Sequence, residues 1–352
     1  MKHYILGLLA LITCFSLTAC SGSGVTTGTD NTPKELNLLT WEGYVPADVV
    51  QKFEEETGIK INYSAANDNE SMIAKIQADK SAFDIIILSD YVIPTMISEG
   101  LIGELDRTKL PNFGNIDPAF QGQACDPDNK YTIPYTASAA IIAYDSAALD
   151  FVPVGYEDFW RPELKNSVVL LDGDRDVIGF TLQTLGYSVN DTDPAHLAEA
   201  QAKLLELKPN VIGFDANTPH NMLISGEAKI GYMFGSQVTE AMAQKDTIDF
   251  VYPEEGLGSY IDNVVMAAEA PNAENAYTFL NFILDGENSA AISNAIFYTN
   301  CNTAAKEFLS EDFKNNATIN IPQEFAAKME SYGDLGEARS LYTDVWTVFK
   351  SN

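Results

Sequence analysis

The sequence predicts an α/β protein made of two doubly wound lobes joined by at least two crossings. Three observations point there. Apolar strands alternate with amphipathic helices from Glu35 to Leu105, the order that produces a parallel sheet with right-handed crossovers. The run Phe83-Asp-Ile-Ile-Ile-Leu88 is nearly continuous in apolar residues, as a strand buried on both faces requires. The chain of 352 residues also exceeds what one core holds, since single cores stop growing near ~250–300 residues. Two lobes with more than one crossing form a clamp that can close over a ligand.

The amino end is a targeting signal. Lys2 and His3 precede an apolar run from Tyr4 to Phe15, followed by Leu17-Thr18-Ala19-Cys20. A basic start, about a dozen apolar residues and small residues before a cut describe a secretory leader over 1–19. A spanning helix needs roughly 20 residues, so this run is too short to be one. The ending resembles a bacterial lipobox, in which Cys20 becomes the lipidated first residue; a plain leader that contains a Cys is the alternative. Residues 20–31 are rich in Ser, Gly and Thr and read as a flexible tether. The expected location is periplasmic or extracytoplasmic, with membrane attachment only through the lipid.

The first lobe is expected over 32–138 and 261–305. Its strands are Leu36–Trp41, Ile59–Tyr63 and Phe83–Leu88. Its helices are Ala47–Thr57, ended by Gly58, then Glu70–Asp79 and Val92–Glu99, ended by Gly100. Val49, Val50 and Phe53 fall on one face of the first helix, and Met72, Ile73 and Ile76 on one face of the second. An extended run, Ile133 to Tyr144, crosses to the second lobe, expected over 139–260 and 306–352. There Ser167–Leu171, Lys229–Phe234 and Phe250–Tyr252 read as strands, and Val177–Leu185, Pro194–Leu207 and Ser236–Gln244 as helices. Ile261–Ala267 returns as a strand, and helices follow at Ala273–Leu284, Ser289–Ala295 and Gly336–Phe349.

Fifty acids against 21 bases give a net charge of −29. Without the leader, which removes Lys2, 20 bases face 50 acids, or −30. Such a surface repels nucleic acid and anionic lipid and concentrates cations, although acidity also serves plain solubility. Cys14 leaves with the leader, so Cys125 and Cys301 remain in an oxidising compartment, where a disulfide and two separate buried thiols are both open.

Catalytic chemistry is poorly represented. His196 lies within a helix pattern and His220 beside a proline turn, and both read as solvent or capping residues. No Gly-x-Ser-x-Gly elbow, phosphate loop or zinc spacing occurs. Asp172-Gly-Asp174-Arg-Asp176 begins like an EF-hand but lacks Gly at the sixth place and Glu at the twelfth, where Val177 and Gln183 stand. What remains is an acid cluster at a strand end, suited to helix capping or to a cleft.

A theme recurs at strand ends: an aromatic beside an acid or hydroxyl. It appears in Trp41-Glu42-Gly43-Tyr44, Ser89-Asp90-Tyr91, Tyr260-Ile261-Asp262-Asn263 and Phe297-Tyr298. Carboxyl ends of strands in open α/β sheets face the ligand crevice. Trp41, Glu42 and Tyr44 are expected to stand exposed as a lip. Aromatic faces attract organic cations by about 0.5–2 kcal/mol per contact, and carboxylates bind ammonium ends through charge-assisted bonds. A flexible oligoamine needs both.

Trp41-Glu-Gly-Tyr44-Val-Pro46, Phe53-Glu-Glu-Glu-Thr-Gly-Ile-Lys60 and Phe83-Asp-Ile-Ile-Ile-Leu-Ser89-Asp-Tyr91 together resemble the spermidine/putrescine-binding proteins of bacterial ABC importers. The likeness continues through Leu110-Pro-Asn-Phe-Gly-Asn-Ile-Asp-Pro118, Tyr131-Thr-Ile-Pro-Tyr135 and the region of Asp262. It implies a two-lobed, type II-like periplasmic-binding-protein fold, a ligand between the lobes, docking of the closed form on a permease, a monomer, and no catalysis or cofactor. By position it implies aromatic walls at Trp41, Tyr44, Tyr91, Tyr260 and Tyr298, with Ser89 beside Tyr91. It implies Asp262 gripping a terminal ammonium and Asp176 meeting another amine. Glu42 matches no acid of the family. Phe234 is the nearest substitute for a usual Trp, Gly173 stands where spermidine binders carry an Asp, and Thr136-Ala-Ser138 replaces a bulkier segment. Another amine, ferric ion, a sugar stacked on Trp41, or a sensor role stays open.

Overall fold

The computed structural model describes residues 34–351; the leader, the tether and Cys20 lie outside them. Eleven strands join in one curled sheet: β1 Glu35–Thr40, β2 Lys60–Ala65, β3 Ile85–Ser89, β4 Thr132–Asp145, β5 Val168–Leu170, β6 Val211–Phe214, β7 Ile230–Phe234, β8 Ile248–Val251, β9 Leu257–Met266, β10 Thr299–Asn300 and β11 Met329–Ser331. The order is β2-β1-β3-β9-β4-β7-β5-β6, with β10 and β8 on β4 and β11 on β9. β2, β1 and β3 are parallel, as are β7, β5 and β6; β9 runs antiparallel to β3 and β4 but parallel to β11, and β4 runs antiparallel to each of its neighbours. Long β4 takes part in both halves: 132–139 pair with β9, and 140–145 with β7 and β8.

Each half of the sheet is covered on both faces, which gives two lobes. In the first lobe Leu36, Leu38 and Phe53 pack under the helix Ala273–Leu284, and Met72, Ile86 and Met96 fill the opposite face. In the second, Tyr156, Phe180, Tyr232 and Phe349 form one core and Ile141, Met233 and Val238 the other. All five residues of β3 are buried, as its unbroken apolar run requires.

The local signals act as expected. Ala47–Thr57 starts after Pro46 and stops at Gly58, whose φ of 70° lets its N–H reach the Glu54 carbonyl. Asp68 caps Asn69–Ala78 by accepting from the Ser71 N–H, and Asp193 caps Pro194–Leu207. Buried Asp84 accepts from Asn37 N at 2.8 Å and from Asn272 N and Nδ2 at 2.6 and 3.1 Å. That carboxylate ties β1, β3 and the start of the helix Ala273–Leu284 together.

Several expectations are corrected. Cys125 and Cys301 are both free thiols, so the disulfide alternative fails; Cys125 packs against the first-lobe core that holds Met72, Ile86 and Met96. His220 is buried, begins a short helix His220–Ser225, and faces Glu240 at 3.2 Å. β6 and that helix escaped the sequence because four half-buried residues and a six-residue turn carry too little period. β9 begins four residues before Ile261, so Tyr260 lies within the strand.

Phe53 meets Phe279 and Phe282 edge-on at 5.3 and 5.2 Å. Phe53→Ala should therefore lower unfolding free energy by about 3–5 kcal/mol, measured from urea midpoints. A loss under about 1 kcal/mol would mean that these rings repack around the gap.

Candidate ligand-binding cleft

Strand ends from both lobes open on one cleft of about 1140 Å³. Trp41, Tyr44, Ser89, Tyr91, Asp176, Phe234, Tyr260, Asp262 and Tyr298 all line it, so the structure brings together every ligand-binding position the sequence singled out. Six of them form a continuous belt. Ring centroids step from Trp41 to Tyr44 at 5.0 Å, to Tyr298 at 5.5 Å, to Phe234 at 6.3 Å, to Tyr260 at 6.2 Å and to Tyr91 at 6.1 Å. Most steps are edge-to-face or tilted, the arrangement ring quadrupoles favour.

Asp262, on β9, is buried and held from two sides. Its Oδ2 accepts from the Tyr44 hydroxyl and its Oδ1 from Ser89 Oγ at 2.8 Å. The Tyr44 hydroxyl also meets Thr136 Oγ1 at 2.7 Å. Tyr44 is thus buried, at 8 % exposure, which corrects the expectation of an exposed lip. Tyr63 receives its backbone N–H and Tyr135 donates to its carbonyl, at 3.1 and 3.0 Å. Glu42 remains exposed beside it.

Asp176 sits in the first turn of the helix Asp174–Thr184, buried, with Oδ1 unpartnered. A Cβ at Gly173 would press on its Oδ2, so the glycine leaves that carboxylate room. Burial pushes Asp176 up to about 7 against a hydrogen bond from Tyr260, and Asp262 up to about 6 against the bonds from Tyr44 and Ser89. Asp90, buried just after β3, is raised to about 8 by burial, with Asp262 nearby.

Sequence reasoning missed four contributors. Tyr332 stacks on Tyr260 at 4.5 Å, lying where a Cβ on Gly179 or Gly258 would meet its ring. Glycine inside a helix and inside a strand was the available signal, since each permits such close approach. Arg175 is buried among Tyr91, Tyr332 and Tyr342, and donates from Nη2 to Asn190 at 2.7 Å. Asn69 donates to Ser89 Oγ and to the Tyr91 hydroxyl, at 3.2 and 3.0 Å. At the mouth, Arg339 of the second lobe bonds Glu70 of the first at 3.1 Å and also pairs with Asp174. Asp174, from the acid cluster suited to capping or to a cleft, thus supports this bridge between lobes.

Two outcomes follow from this geometry. Arg339→Gln should cost under about 1 kcal/mol, because the bridge is half-exposed, yet raise the ligand-free radius of gyration in solution scattering. An unchanged curve would mean that the bridge does not hold the lobes. An unfolded aspartate titrates near ~3.9, below the folded values of Asp262 and Asp176, so each one's contribution to stability is full below that pH. It is lost as pH rises towards about 6 and about 7. Ligand-free Asp262→Asn should gain on wild type by on the order of 1–2 kcal/mol from about pH 4 to about pH 8, read from urea midpoints. A gap that does not vary with pH would contradict the raised value.

Residues 48–321 match the family model described as bacterial extracellular solute-binding protein. The spermidine/putrescine-binding periplasmic protein of Salmonella typhimurium is 34% identical over 90% of this chain and 91% of its own. The solved spermidine/putrescine ABC transporter substrate-binding protein of Streptococcus pneumoniae is 33% identical, with a TM-score of 0.79 over 90% of this chain and 98% of that one. A solved ABC-transporter protein from Listeria monocytogenes, also 33% identical, reaches a TM-score of 0.86 over 90% and 99%. With its two lobes, its cleft at the strand ends and this match along most of its length, the chain belongs to the bacterial extracellular solute-binding proteins.

Proposed function

We propose that this protein captures a polyamine such as putrescine or spermidine between its lobes and delivers it to the permease of an ABC importer. The observation that carries the reading is a six-membered aromatic belt bordered by eight acids and only two arginines. Trp41, Tyr44, Tyr91, Phe234, Tyr260 and Tyr298 form a sleeve for methylenes, with Ser89 holding Asp262 in place. Asp262 and Asp176 take the ammonium groups. Burial raises both carboxylates, Asp176 even against the charge of Arg175, and a bound ammonium adds opposing charge and displaces their protons. The names of relatives from Salmonella and Streptococcus pneumoniae support the ligand class.

The reading assigns no catalytic residue and no cofactor. Lobe boundaries at 32–138 with 261–305, and 139–260 with 306–352, are supported by the separate cores. Lipid attachment at Cys20 in the periplasmic or extracytoplasmic space is supported by Leu17-Thr18-Ala19-Cys20 and the tether after it, and the protein is read as a monomer.

Titration calorimetry with putrescine, spermidine, spermine and ferric citrate tests the proposal. Binding of at least one amine is expected, and silence from all of them at micromolar concentration would sink it. Asp262→Asn should weaken a diamine by at least ~1.5 kcal/mol, roughly tenfold, through the lost bond to a charged group. Unchanged affinity in that variant would remove Asp262 from the site.

A further inference from the structure

Beside the cleft lies a second cavity, of about 430 Å³. Ser138, Ser236 and Tyr298 line both spaces, so the partition between them is thin. At this boundary the Tyr298 hydroxyl bonds Ser236. The cavity exists because the chain is small where it passes: Ala137, Ser138 and Ala139 on β4 stand opposite a backbone turn at 318–321. Gly235 lets that turn approach, since a Cβ there would strike the Thr318 carbonyl. Phe297 ends the helix Gly286–Ile296 at a φ of 54°, a conformation that a non-glycine residue holds only where its surroundings dictate it. The reversal puts Phe297 on the wall of the side cavity and Tyr298 on the wall shared with the cleft.

The two spaces differ in charge. Eight carboxylate side chains line the cleft, whereas no Asp, Glu, Lys, Arg or His lines the side cavity. An ammonium entering it would lose water and find no counter-charge. An uncharged group would lose little, and an engineered apolar cavity of about 150 Å³ already accepts a benzene ring. The volume here is therefore ample for an aryl or short alkyl group, while the nitrogen that bears it stays among the acids.

We propose that the side cavity is a subsite for an uncharged alkyl or aryl substituent on one nitrogen of the cleft ligand, so that the protein takes N-substituted amines as well as unsubstituted ones. This rests on the amine reading of the cleft. The test compares, by calorimetry, the tighter-binding of putrescine and spermidine with its N-benzyl derivative. Wild-type protein should bind the benzyl compound within about threefold of the parent or more tightly. Ala137 and Ala326 line only the side cavity. Ala137→Phe and, separately, Ala326→Phe should weaken the benzyl compound at least tenfold and leave the parent within twofold. Parent binding also reports that each variant is folded, and either variant alone suffices. If wild type binds the parent but the benzyl compound more than tenfold weaker, or if both folded variants leave the ratio unchanged, the subsite is refuted while the cleft reading stands. If neither parent amine binds, the cleft reading fails and the subsite falls with it.

Discussion

The antiparallel pairing of β4 with β9 is the constraint on which the rest of this molecule depends. From Thr132 opposite Val265 to Ala139 opposite Ser259 it runs through the middle of the sheet, with a register shift between Pro134 and Thr136. Pro134 has no N–H to give a central ladder, and a local irregularity is where a strand tolerates it. After the shift, Thr136 stands opposite Asp262 and Ser138 opposite Tyr260. The carboxylate and the ring thus emerge on the strand that borders β3 on one side and β4 on the other. The lobes meet along the same pair of strands, so the cleft and the connection between lobes share one piece of backbone.

A buried carboxylate is costly unless it is bonded, and a single strand cannot satisfy one alone. Asp262 draws its partners from two other elements, Tyr44 after β1 and Ser89 at the end of β3. Asn69 in turn fixes Ser89, donating to its Oγ and accepting from its N–H at 3.1 Å. Loss of Tyr44 or of Ser89 would leave one oxygen of buried Asp262 without its partner, at a cost of about 1–3 kcal/mol. Asp176 is treated differently: burial raises it and one oxygen stays unpartnered. One acid is held by the protein itself, and the other keeps an oxygen free for something else.

Charge within the cleft is also segregated. Arg339 joins Asp174 and Glu70 at the mouth, and Arg175 lies among tyrosines beneath the second lobe's wall. Asp262 has no basic partner; its two bonds come from hydroxyls. A side cavity with no charged lining residue adjoins the cleft at Tyr298.

Much of this was legible in the chain because it is local. Ala47–Thr57, Pro194–Leu207 and Ala273–Leu284 have the bounds their period and caps imply, since a cap or an apolar face is written within a few residues. The aromatics at strand ends were legible for the same reason, and the resemblance to a known family named nine cleft positions that the fold does bring together. What only the tertiary structure decided is non-local. Tyr44 meets Asp262 across 218 positions and Arg339 meets Glu70 across 269, and no periodicity records which strand ends will share a crevice. The burial of Tyr44, the free thiols of Cys125 and Cys301, and Tyr332 beneath Tyr260 all depend on the strand order of the assembled sheet. Residue type and spacing determine the elements; the order in which those elements pair determines which polar groups must satisfy one another, and hence where the site's charge lies.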